Sequence, residues 1–281
     1  MPARQPPGPE ALAAFGVVDA RPEPLRGGAG TSWRARGHTD LVLKPVGGPS
    51  AETEVGWWAA ALPDVRARVS GIRLVTPVPT VGGRWTADGW RADVWLPGEP
   101  RPDRPLDVLA AAERLHAALA PLPAPSFLRA RSDRWALADR AAWGEIEIEI
   151  EIPAPFEALA RRLRRLTTPS DEPPQLVHLD LLGNVLLAPG LAPAVIDLSP
   201  YRRPAVHGSA VVVADALLRG GSSEALLSST GWAGTPPALA RALLFRLLDE
   251  GQQAADGTAT IGLAPYERVA TTLERMAAAA D

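Results

Sequence analysis

Apolar and polar positions follow two different periods in the two parts of this chain. Through residue 95 the apolar residues come in short alternating runs, at 32–35, 40–46, 72–75, 84–86 and 91–95, separated by Gly and Pro. Alternation with period two gives one buried face and predicts strands, the first two joined through a turn at Gly37 as a hairpin. Two helices accompany them, one before the first strand and one after the hairpin. One is short, over 10–15; in the other Ser50 is placed to cap a run over 51–62 whose Val55, Trp58 and Leu62 share a face.

Beyond Leu96-Pro97-Gly98-Glu99-Pro100 the spacing changes to three and four, which predicts helices over 106–119, 133–143, 154–166, 207–219, 236–253 and 265–280. The pattern describes an α+β chain with a tip at 1–9, a β-rich N-lobe at 10–95, a hinge at 96–100 and a mostly helical C-lobe at 101–281. A lobe junction of this kind is where small-molecule sites concentrate. One segment stands apart: in the repeat Glu145-Ile146 to Glu151-Ile152 every second residue is isoleucine, so an exposed strand with one apolar face is expected, its glutamates guarding the edge.

Composition narrows the chemistry. The chain has 281 residues, net charge −3 and pI near 5.9, with arginines dispersed among acids, so neither nucleic acid nor an anionic membrane is an expected partner. Cysteine is absent, which removes disulfides, thiolate metal sites and cysteine nucleophiles. The first nine residues lack the apolar core of a signal peptide and no run of 18 apolar residues occurs, so a soluble cytoplasmic protein is expected. Among 29 basic residues only Lys44 is lysine, and it follows the glycine cluster Gly27-Gly28-Ala29-Gly30. A lysine is a compact point charge suited to meeting a phosphate from one direction, where arginine presents a planar fork.

Further along, Leu176-Val177-His178-Leu179-Asp180-Leu181-Leu182-Gly183-Asn184 and Ala194-Val195-Ile196-Asp197-Leu198 each bring an acid or amide to the end of an apolar run. Asp197 and Asn184 offer the hard oxygens that magnesium takes when bound with a nucleotide, and Asp180 is placed to accept a hydroxyl proton. These motifs resemble the aminoglycoside phosphotransferase and choline kinase superfamily, and in particular an actinobacterial branch of it, over about residues 25–218.

The resemblance implies a protein-kinase-like two-lobed fold, ATP (with GTP also admitted) and Mg2+, and transfer of the γ-phosphate to a hydroxyl of a small molecule. It implies Asp180 as the catalytic base and Asn184 and Asp197 as metal ligands. Lys44, Gly28, Gly30, Thr31 and Ser32 would hold the nucleotide, with His178 and Asp215 as loop supports. Glu54 is preferred over Glu52 as the lysine's partner, because at ~100° per residue it falls about 40° from Trp58 on the helix and Glu52 about 120°.

The chain departs from the family pattern in three places. Asp180 to Asn184 is one residue short, Leu179 stands where the family has glycine, and Trp33 replaces a loop glycine. They leave open an alternative, a nucleotide-binding, kinase-like regulatory module without transfer activity. The sparse acids beyond Asp215, interspersed with Arg219, Arg241, Arg246, Arg268 and Arg275, argue against a polycationic acceptor.

Overall fold

The computed structural model describes residues 5–25, 31–47, 50–146, 152–229, 232, 234–258 and 262–279. In chain order the elements are α1 (Pro9–Ala14), β1 (Glu23–Pro24), β2 (Trp33–Ala35), β3 (Leu41–Pro45), α2 (Ala51–Arg68), β4 (Arg73–Leu74), β5 (Pro77–Val78), β6 (Thr86–Ala87), β7 (Trp90–Val94) and β8 (Glu99–Pro100). There follow α3 (Pro105–Leu119), α4 (Phe127–Ala130), α5 (Arg134–Ala142), α6 (Ala154–Leu166), β9 (Gln175–His178), β10 (Val185–Ala188), β11 (Leu191–Val195) and β12 (Pro200–Arg203). The chain closes with α7 (Ala205–Leu218), a 3-10 turn at Glu224–Ser228, α8 (Pro236–Ala255) and α9 (Ala264–Ala278). Most of the expected 145–152 strand, residues 147–151, lies outside the described residues.

These elements form two compact units, one of Met1–Arg101 with Gly183–Leu198, the other of Pro102–Leu182 with Ser199–Asp281. In the first, the strands run β1-β2-β3-β7-β5 with β6 added to β7. Alternation on β2, β3 and β7 turns Ala35, Leu41, Leu43 and Ala92 inward, where Leu12 and Phe15 pack against them. A second sheet, β4-β11-β10-β8, shares this unit. Gly98, at φ +135°, lets β8 lie against β10, since a Cβ there would stand 2.9 Å from the Cβ of Leu186.

Helix α2 differs from its expected form at both ends. It continues through Pro63 to Arg68 because Val65 extends the buried stripe of Val55, Trp58 and Leu62, while Pro63 lies on the exposed side where its missing N–H costs least. Ser50 does not cap the helix; its Oγ donates to Glu54 Oε1 at 2.7 Å instead.

In the second unit α8 is the central element, touching α5, α6, α7 and α9. Every residue from Leu239 to Gln252 is buried, as a helix enclosed on all sides requires. Four ionisable groups go in with it, and each is met. Arg241 donates to the carbonyls of Ala142 and Thr168, Asp249 accepts from Arg134 at 2.7 Å, Glu250 pairs with Arg219, and Arg246 pairs with Asp215. His207 on α7 is different: it is buried edge-on against Trp143, ring centroids 5.2 Å apart, and neither ring nitrogen finds a hydrogen bond among the described residues.

Burial pushes the imidazoles of His207 and His116 down to about 3 from the ordinary 6.5, with nearby arginines adding to the effect at His207 and His178 at His116. Unfolded imidazoles take up protons below about 6.5 while the folded ones stay neutral, so this contribution to stability is whole above that pH and is lost as pH falls toward 3. The thermal midpoint is expected to drop between pH 7 and pH 5. His207→Phe, which replaces unpaired buried polar atoms by an apolar ring, should keep stability at pH 7 and lessen the drop; an unchanged pH dependence would show that His207 does not contribute to it.

Candidate functional site

The first unit assembles one half of the expected residues. In the β3–β7 ladder Lys44 lies opposite Arg91 and Val42 opposite Asp93, so Lys44, Arg91 and Asp93 share a face. Two cations side by side repel, and acids answer them: Lys44 Nζ lies 3.2 Å from Asp197 Oδ1, Arg91 pairs with the same oxygen, and Arg91 Nη2 is 3.9 Å from Asp93 Oδ2. Burial raises the Asp93 carboxyl above its ordinary value, with Arg91 and Lys44 opposing.

Asp197 reaches the cations from the end of β11. The β10–β11 register pairs Val185 with Val195, and the Ile196 N–H donates to the Asn184 carbonyl at 2.9 Å, so Asn184 and Asp197 belong to one hairpin end. Asp197 has φ +54°, a left-handed conformation uncommon outside glycine, and its side chain is 44% exposed. A strained acid that is both accessible and charge-paired is a functional candidate rather than a packing residue.

The other nucleotide-side residues divide. Glu54 accepts from Ser50, whereas Glu52 accepts from the Trp85 and Thr86 N–H groups at 2.8 Å each and from the Thr86 hydroxyl at 2.6 Å. Among the described residues neither glutamate forms an ion pair with Lys44. The Thr86 hydroxyl and these N–H donors hold the Glu52 carboxyl below its ordinary range, so that glutamate fixes the turn into β6. Thr31 and Ser32 precede β2, with the Ser32 carbonyl accepting from Leu25 N at 2.9 Å; Gly28 and Gly30 lie outside the described residues. The face of Trp95 is covered by Arg34, whose guanidinium carbon is 3.7 Å from the ring centre.

The second unit assembles the loop that follows β9. His178 is fully buried; its N–H donates to His116 Nε2 at 3.1 Å and its Nδ1 accepts from the Asp180 N–H at 3.2 Å. His116 acts as an acceptor through Nε2, so its proton sits on Nδ1, which suits a ring that burial keeps neutral. Helix α7 comes close enough to hold this ring only because residue 208 is glycine: a Cβ there would stand 2.3 Å from His116 Cε1.

From the other side Arg246 binds the whole loop. It donates from Nε to Asp215 Oδ1 at 2.8 Å and from Nη2 to Asp215 Oδ2 at 2.5 Å, to the Leu179 carbonyl at 3.0 Å and to Asp180 Oδ1 at 3.1 Å. Arg246 and Asp215 are buried while the Asp180 side chain is 58% exposed, so a carboxylate facing solvent rests on a dry frame. Burial disfavours the Arg246 charge, but Asp215 and Asp180 outweigh it and raise the guanidinium further above its ordinary value. His178 contacts the loop directly, through the Asp180 N–H, and Asp215 contacts it through Arg246. Arg246 and Arg91 escaped sequence reasoning, although an arginine inside Leu243-Leu244-Phe245-Arg246-Leu247-Leu248 is a legible sign of a buried charge seeking a partner.

No protein-family model matches the sequence, and no curated protein matches it. Solved structures do match. A microcompartment-associated aminopropanol kinase is 18% identical, aligned over 94% of this chain and 92% of its own, with a TM-score of 0.59. The GDP and kanamycin complex of APH(2")-IIia is 14% identical over 96% and 97%, TM-score 0.57, and a choline/ethanolamine kinase family protein from Mesorhizobium loti is 18% identical over 94% and 91%, TM-score 0.55. The fold is that of the aminoglycoside phosphotransferases and choline/ethanolamine kinases, an α+β, protein-kinase-like fold.

Removing Arg246 leaves the buried Asp215 with only Arg219, its nitrogen 3.5 Å away, as an ion-pair partner among the described residues. Arg246→Met should cost about 3–5 kcal/mol in denaturant unfolding, and the double variant Arg246→Met/Asp215→Leu should recover much of that. Equal losses in the single and double variants would mean that the pair's geometry, rather than the stranded charge, carries the effect.

Proposed function

We propose that this chain is a magnesium-dependent phosphotransferase that moves the γ-phosphate of ATP, or of GTP, to a hydroxyl of a small molecule. The observation that carries the reading is the exposed carboxylate of Asp180, fixed by Arg246, His178 and Asp215 on a buried frame. A carboxylate so held can accept the proton of a hydroxyl as that oxygen attacks phosphorus, and its fixed position supplies the orientation on which phosphoryl transfer depends. Lys44, with Arg91 beside it, would meet the phosphates, and Thr31, Ser32, Gly28 and Gly30 would flank them. The solved relatives support the reading by fold, and two of them carry a nucleotide: APH(2")-IIia was solved with GDP and kanamycin, and the spectinomycin phosphotransferase APH(9)-Ia with ADP and spectinomycin.

Magnesium fits the residues present. Asp197 and Asn184 give a carboxylate and an amide oxygen at one hairpin end, and a nucleotide-bound magnesium needs no more than one or two carboxylates from the protein. Among the described residues no group of three or more acids or histidines forms a self-sufficient metal cage. When bound, the ion would neutralise charge on the phosphates. Among the described residues no helix is long and apolar enough to cross a membrane, and a cytoplasmic location is proposed with the function.

One observation favours the regulatory alternative: Asp197 Oδ1 is engaged by both Lys44 and Arg91, as in a site closed on itself. Two experiments decide. Asp180→Asn should lower turnover by roughly 10²–10⁴-fold and leave Mg-ATP affinity nearly unchanged in calorimetry; tight nucleotide binding with no Asp180-dependent ADP release across hydroxylated acceptors would select the module. Asp197→Ala should abolish magnesium-dependent nucleotide binding while Asn184→Ala weakens it less, because an amide offers a dipole where the carboxylate offers a charge. Magnesium dependence that survives Asp197→Ala would remove the metal assignment.

A further inference from the structure

Within the second unit a pocket of about 820 Å³ opens between the segment around α4 and α5 and the strand β12. Its size is that of a small-molecule site, but its chemistry is unusual for one, since five arginines and two carboxylates line it. The carboxylates are spent: Asp139 and Glu145 both bind Arg203, with Arg203 Nη2 2.6 Å from Asp139 Oδ2. Arg131 is answered from outside the lining by Asp133 at 2.9 Å. Arg129, Arg140 and Arg202 remain, and no carboxylate among the described residues lies within ion-pair distance of them, so the described groups at this pocket carry an excess of two positive charges.

Two details make this a built site rather than a scatter of surface arginines. Arg140 is half-buried and donates to the carbonyls of Ala136 and Arg131, contacts that fix the guanidinium without cancelling its charge. Tyr201 is buried, its ring stacked under Arg131 at 4.7 Å and its hydroxyl accepting from Arg131 at 3.3 Å. Burial lifts its pKa to about 12, so the hydroxyl stays protonated, and no acceptor among the described residues takes that proton.

The pocket is also tied to the loop below it. Arg131 donates to the Pro200 carbonyl at 3.2 Å, and Pro200 is the ladder partner of His178, two residues before Asp180.

We infer that this pocket binds the oxyanion group of a small molecule, a carboxylate or a phosphate, through Arg140, Arg129, Arg202 and the Tyr201 hydroxyl. If the chain is the phosphotransferase proposed above, on which this second step rests, the acceptor is an anionic hydroxylated metabolite and not a polycation. Arginine forks suit both oxyanions, and the pocket is wide enough to admit a body attached to either.

The test uses the full chain, with citrate and pyrophosphate as probes and spermidine as the cationic control, in calorimetry at low and high salt. Citrate or pyrophosphate is expected to bind, the stronger of the two naming the oxyanion, and binding should weaken with salt. Arg140→Gln and Arg202→Gln should each weaken it tenfold or more while the thermal midpoint holds. Binding of neither probe, or binding that both variants leave intact, overturns the site.

A parallel arm scores ADP release, with Asp180→Asn as blank, for hydroxy acids and sugar phosphates against neutral sugars and amino sugars. Release confined to the anionic compounds supports the second step, and release confined to amino sugars overturns it. Arginine-dependent probe binding without Asp180-dependent release from any class sustains the pocket and overturns the phosphotransferase reading.

Discussion

A guanidinium cannot sit in a dry core without fixed acceptors, and Arg246 meets that demand with groups drawn from two parts of the second unit: Asp215 on α7, and the Leu179 carbonyl and Asp180 carboxylate of the loop after β9. The geometry of the loop after β9 follows from that demand. Because the arginine is on α8, which every neighbouring helix of the unit touches, the position of one exposed carboxylate is set by the packing of the whole helical core. Stability and site geometry share a cause here, since the arginine that the core must satisfy is the one that holds Asp180.

The first unit gathers its charge on one sheet face, where Asp93 is buried, Lys44 and Arg91 are largely covered, and Asp197 alone is well exposed. Lys44 and Arg91 are neighbours across a ladder, and repulsion between them is answered by Asp197, from the turn after β11, and by Asp93, two residues along β7 on the same face. Because one oxygen of Asp197 is shared by both cations, a change of charge at any of the three alters the electrostatic balance of the other two.

Much of this was legible in the sequence. Helix positions followed from apolar spacing, and the β2–β3 hairpin from alternation around Gly37. Lys44 stood out as the one lysine among 29 basic residues, and Asp180, Asn184 and Asp197 by their place at the ends of apolar runs. What escaped were relations between elements. Nothing local says that Arg91 stands opposite Lys44, because register is set by pairing; nothing local separates Glu52 from Glu54 by partner, because Trp85 and Thr86 decide that from 33 and 34 residues away. The end of α2 was misplaced for a related reason, the proline being local and the burial of Val65 tertiary.

The relay from His116 through His178 to the Asp180 N–H has a consequence for observing the protein. A ring confined against Gly208 and held in one tautomer has nitrogen nuclei with a single, well-defined magnetic environment, and the His178 amide it receives is sheltered from solvent. Isotopic labelling of this chain's four histidines would place a spectroscopic reporter directly beneath the loop. Displacement of the loop by a bound molecule would register there as a change in resonance frequency or in the rate at which that amide exchanges its proton, without any label at the surface.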